Sequence, residues 1–148
     1  MLIYLDMCCF NRPFDDQSQT RIRFETEAKL ELQERIRQKE LRLVWSYVLD
    51  FENSQNPFPE RAASILLSRS LAEVRIGETG SVLELGRSLM RLGIKPFDAL
   101  HAACAIISCV DLFITTDDAL LCKLRGYPNL KTLPPGDALS HVEHWYEN

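Results

Sequence analysis

Long apolar runs are missing from this 148-residue chain; the longest, around Ala102 to Ile107, falls far short of the roughly 20 residues a membrane span needs. Basic charge is also scarce. Seventeen Lys and Arg against 21 Asp and Glu leave a formal net charge of −4, which argues against holding nucleic acid by bulk electrostatics alone. Binding through metals and local arginines stays open. The five cysteines form no Cys-x-x-Cys and no finger spacing with histidine, which removes zinc-finger and dithiol readings. Cys8 and Cys9 are adjacent, and Cys104, Cys109 and Cys122 lie among apolar neighbours, so reduced, buried thiols are expected. The first six residues, Met1 to Asp6, carry no basic region, and an acid interrupts the apolar run too early for a signal peptide. A cytoplasmic protein with no membrane association is the expectation. Repeats, linkers and low-complexity tracts are absent as well.

What is present is an ordinary globular composition, 46% hydrophobic and 26% charged, at a length that suits one domain over residues 1–148. Five compact apolar runs have strand length: Leu2 to Leu5, Leu41 to Trp45, Val74 to Ile76, Leu112 to Thr115 and Leu130 to Leu133. Helical spacing fills the intervals. Phe24, Ala28, Leu32 and Ile36 recur every four residues inside a strongly charged segment, which predicts a long helix with one buried stripe. Its mixed charges read as a solvated face with ion pairs. Ser46 is placed to cap a helix that the Asn56-Pro57-Phe58-Pro59 cluster ends. Further helices are predicted over 59–70, 81–92 with a stop at Gly93, 97–108 opened by Pro96, 117–125 and 137–146. Strands alternating with helices imply a three-layer α/β/α fold around a mostly parallel five-stranded sheet. Ligands in such folds sit beyond the carboxyl ends of the strands, where the strand order reverses.

Four acids recur at strand ends and helix starts. Asp6 directly follows the first strand, where a turn or cap role would also explain it. Glu52 shares a helix face with Val48 and Leu49, and a carboxylate on an apolar face needs an arginine or a metal. Asp98 stands in a first helical turn, which the helix dipole favours, yet it heads the packed stripe Ala102, Ala105 and Ile106. Asp117 follows the fourth strand, and spacing alone leaves Asp118 as an alternative. Asp6 and Glu52 are 46 residues apart, Glu52 and Asp98 another 46, and Asp98 and Asp117 are 19 apart. Four converging carboxylates would repel one another unless a divalent cation joined them.

With these residues assembled, the chain resembles the PIN domain, a family of metal-dependent ribonucleases that includes VapC-like toxins of bacterial toxin–antitoxin pairs. The matching pieces are Tyr4-Leu5-Asp6, Ser46 with Glu52, Phe97-Asp98-Ala99-Leu100-His101-Ala102-Ala103, and Phe113-Ile114-Thr115-Thr116-Asp117, which together span the chain. The segment Asn11 to Asp16, leading into a long charged helix, departs from the short toxins. The resemblance implies that Asp6, Glu52, Asp98 and Asp117 are catalytic, metal-binding carboxylates, with Asp117 preferred to Asp118 for its Thr-x-Asp position. It implies a supporting role for Thr115, whose hydroxyl would bond a carboxylate, and Asp6 and Asp98 as the nearest ligands. It further implies one or two Mg²⁺ or Mn²⁺ ions, hydrolysis of RNA phosphodiester bonds, a small antitoxin as partner and a homodimer. Arg12 is a candidate for a substrate phosphate, set against a surface pair with Asp15 or Asp16. His101, one turn past Asp98, reads as a satisfied core histidine. A PIN-like module that binds RNA or protein without cutting is the alternative function.

Overall fold

A computed structural model of the chain describes residues 1–147. The five expected strands form: β1 (Leu2–Leu5), β2 (Arg42–Ser46), β3 (Val74–Ile76), β4 (Leu112–Ile114) and β5 (Thr132–Leu133). All pair in parallel, in the order β3-β2-β1-β4-β5. The sheet is therefore wholly parallel rather than mostly so. Every residue of β1 and β4 is buried, as a strand covered on both faces requires, and this is why both read as unbroken apolar runs.

Among the described residues eight α-helices surround the sheet in a three-layer α/β/α arrangement: α1 (Met7–Asn11), α2 (Thr20–Arg37), α3 (Tyr47–Ser54), α4 (Pro59–Leu67), α5 (Gly80–Met90), α6 (Pro96–Ile107), α7 (Asp118–Leu124) and α8 (Pro135–Val142). Helix α1 is absent from the sequence expectation. Five residues are too few to show a periodicity, and its start is marked only by the capping acid Asp6. The buried stripe of α2 also differs. Ala28, Leu32 and Ile36 are buried with Glu25 and Lys29, whereas Phe24 is 60% exposed. The last helix, expected over 137–146, starts at Pro135, because proline suits a first helical position, and ends at Val142.

The chain enters through the central strand, winds to β2 and β3 on one side, then returns to β4 and β5 on the other. That reversal opens a crevice beyond the carboxyl ends of β1 and β4. Gly93, at φ +86°, makes the turn that leads from α5 to α6. Gly86 lets the two helices approach closely, since a Cβ there would stand 3.0 Å from Leu100 Cδ2. Helix α6 is thereby held with its first turn at the mouth of the crevice.

Candidate metal centre

Each of the four acids reaches the crevice from a different element. Asp6 is the first residue beyond β1, and its Oδ1 accepts from the Met7 amide at 2.8 Å, capping α1. Its Oδ2 accepts from Thr115 Oγ1, just past β4, at 2.9 Å. The same threonine oxygen accepts from the Asp117 amide at 3.1 Å, so one buried hydroxyl ties the ends of β1 and β4 together. Asp117 caps α7, with Oδ1 accepting from the Leu120 amide at 3.1 Å. Ser46 ends β2 and caps α3 through the Leu49 amide at 3.2 Å, which sets the helix phase that turns Glu52 inward. Asp98 lies in the first turn of α6, behind Pro96. All four acids line one cleft of about 560 Å³, with Cys8, Lys95 and Phe97 also on its wall.

Sequence reasoning underrated His101. The residue is fully buried and satisfied, as a core histidine would be, but its bonds lead straight to the acids. Nε2 is bonded to Glu52 Oε1 and lies 3.6 Å from Asp6 Oδ1, while Nδ1 is bonded to the Tyr4 hydroxyl at 2.5 Å. Tyr4 in turn is bonded to Ser46 Oγ at 2.6 Å. One ligand atom each from Asp6, Glu52 and His101 lie within 4.8 Å of one another, and among the described residues no other such group of three occurs. The imidazole thus bridges Asp6 and Glu52 at the edge of the cleft. The available signal was a polar side chain in an otherwise apolar stripe, one turn past Asp98.

Electrostatics follow from this geometry. Burial opposes charge on His101, but Asp6 and Glu52 outweigh it, so its pKa stands above the ordinary value. Protonated, the imidazole donates from both nitrogens and partly neutralises the two carboxylates. The Asp98 carboxyl is pushed up to about 6, first by burial and then by the negative charge of Asp6 and Asp117. A carboxyl raised by burial and by neighbouring acids is one whose charged form a bound cation would favour.

The remaining candidates lie elsewhere. Arg21 clasps both Asp118 oxygens, at 2.8 and 2.7 Å, and holds that acid on the exposed surface away from the cleft. Arg12 is taken up by Asp15 at 3.1 Å and Glu25 at 3.0 Å and does not line the cleft. Of the cysteines, Cys9 and Cys104 are buried, but Cys109 and Cys122 are exposed, contrary to expectation. Cys8 is half-buried against Asp6 and Thr115. A larger hollow of about 920 Å³ runs beside β5 and α7, and it holds no comparable set of ligand atoms.

No family model matches the chain, and no curated protein matches it. A solved structure does resemble it: VapBC2 from Rickettsia felis, bound to a DNA fragment from their promoter, with a TM-score of 0.56 and 20% identity over 90% of this chain and 98% of that chain. The fold is PIN-like. Within the PIN-like sheet, the acid cleft occupies the switch point at the ends of β1 and β4. The groups that face the cleft are carboxylate oxygens, with the imidazole already bonded to Glu52 and Tyr4, and such a set suits a hard divalent ion such as Mg²⁺ or Mn²⁺ better than a thiol-seeking one. No helix among the described residues is long and apolar enough to cross a membrane.

Proposed function

We propose that this chain is a Mg²⁺- or Mn²⁺-dependent endoribonuclease, and that Asp6, Glu52, Asp98 and Asp117 hold its metal. The observation that carries this reading is the convergence of four carboxylates from four elements on one cleft. A bound divalent ion would supply charge stabilisation at a phosphate and lower the pKa of an attacking water. Asp6, which accepts from the Met7 amide and from Thr115, is the most buried of the four. Glu52 and Asp117 flank it and orient water, and Thr115 keeps the Asp6 and Asp117 loops in register. Lys95, exposed on the cleft wall, is available to a phosphate of the bound strand.

The likeness to VapBC2 supports a place in a toxin–antitoxin pair, with a small protein antitoxin as partner and a cytoplasmic setting. A homodimer belongs to the same reading. The test is cleavage of RNA in Mn²⁺ by the wild type beside Asp6→Asn, a variant that keeps an oxygen to cap α1. Cleavage that falls by about a hundredfold or more in the variant is expected. Equal cleavage by both proteins would overturn the proposal.

A further inference from the structure

The acid cleft does not end at the carboxylates. A second hollow of about 470 Å³ shares Met7, Asn11, Glu52 and Phe97 with it, so the two form a continuous groove. Phe97 and Phe58 line this groove, and Phe51 stands beside Phe97. Phe51 and Phe97 each stand one residue before a cleft acid, Glu52 and Asp98, and their ring centroids are 5.6 Å apart across α3 and α6. They are 50% and 44% exposed, and Phe58, farther along, is 54% exposed. Apolar rings left this open next to a highly charged cleft are poorly placed for folding alone.

Arg61 completes the arrangement. Its guanidinium lies 4.6 Å from the Phe58 ring centroid and 5.3 Å from that of Phe14, and it donates to the Phe14 carbonyl at 3.3 Å. Arg12, Arg21 and Arg69 are all paired with acids, whereas Arg61 has no such ion pair among the described residues. A guanidinium held over aromatic rings, without an acid partner, suits a phosphate or the face of a base.

From this groove we infer a subsite for an unpaired polynucleotide strand: a base next to the scissile phosphate stacks on Phe97, and the following nucleotide meets Phe58 and Arg61. The inference rests on the reading of the acid cleft as the place where a phosphodiester is held. Base faces are open to aromatic side chains only when a strand is unpaired, and stacking tolerates any base. The groove therefore selects single strands over duplex with little sequence preference of its own.

The test is equilibrium binding of the whole chain to labelled oligonucleotides of about 15 residues, as single-stranded RNA, single-stranded DNA and duplex RNA. Ca²⁺ replaces Mg²⁺, so that binding is read without turnover. The proteins compared are the wild type, Phe97→Leu, Phe58→Ala and Arg61→Ala, each checked for a native melting transition. Expected are single strands bound at least roughly tenfold tighter than duplex, and a loss of roughly five- to tenfold for each phenylalanine variant. Arg61→Ala should also lower the salt slope of binding by about one. Duplex bound as tightly as single strands overturns the inference. So does single-strand affinity that survives all three substitutions, as it would if the groove took a protein segment instead. An active nuclease with unchanged affinity in the variants keeps the proposed function and loses the subsite. A chain that takes up no Mn²⁺ yet loses strand affinity in the variants does the reverse.

Discussion

The His101 Nε2 atom, fully buried on α6, lies 3.6 Å from Asp6 Oδ1 at the end of β1. The same nitrogen bonds Glu52, and the opposite nitrogen bonds Tyr4, so the imidazole is a hub between the core and the acid cleft.

Removing that hub should be costly. His101→Ala leaves the Tyr4 hydroxyl short of a partner and two neighbouring carboxylates without their counter-charge, which predicts a loss of about 2–4 kcal/mol. Tyr4→Phe, which removes one buried hydroxyl and orphans its partners, should cost about 1–3 kcal/mol. Urea unfolding of the metal-free proteins measures both. A cost below about 0.5 kcal/mol for His101→Ala would show the hub to be incidental.

Asp117 and Asp118 are adjacent but predicted to differ sharply. Asn caps a helix as well as Asp does, so Asp117→Asn should fold normally while its Mn²⁺ affinity falls by about tenfold. Asp118→Asn loses only the exposed pair with Arg21 and should keep wild-type affinity. Titration calorimetry with Mn²⁺ separates the two. Equal effects would mean that the cleft does not discriminate between them.

The raised pKa of Asp98 carries a pH signature. A carboxyl whose folded pKa of about 6 exceeds its ordinary 3.8 favours the folded state at low pH. That contribution is lost as pH rises from about 4 through about 6. His101, also raised, acts in the same direction: its contribution is present below its ordinary value of 6.5 and is lost as pH climbs through the folded value. The metal-free protein should therefore gain stability from both groups as pH falls from 8 towards about 5. Asp98→Asn removes one of these dependences and should stabilise the metal-free protein at pH 7.5 by about 1–2 kcal/mol, allowing for the partial exposure of the group. That is about 3–6 °C in Tm by calorimetry. An unchanged melting temperature would contradict it.

Much of this was legible in the residues, for identifiable reasons. A parallel sheet buried on both faces writes its strands as apolar runs, so β1 through β4 could be read almost to the residue. The cap Ser46, the stop at Gly93 and the proline Pro96 marked α3, α5 and α6. Helix α1 was hidden because a single turn has no period, and β5 shrank to two residues, Thr132 and Leu133, because pairing with β4 extends no further. The acids stood out because they interrupt apolar patterns at element ends. The role of His101 depends on a contact between α6 and β1 across 95 residues of chain, which no local pattern encodes. Phe24 failed as a core residue because α2 directs Glu25 and Lys29 inward at that end, to meet Arg12 and the Phe10 ring.

The central claim is that the cleft exists to hold a divalent cation. A crystal of the protein soaked in Mn²⁺ tests this most directly, through the anomalous signal of the ion. The account predicts a peak in the cleft within about 2.0–2.3 Å of a carboxylate oxygen of Asp6, with Glu52, Asp98 and Asp117 bound to it directly or through water. A crystal with no anomalous peak among these four acids, and with Glu52 still bonded to His101, would contradict it.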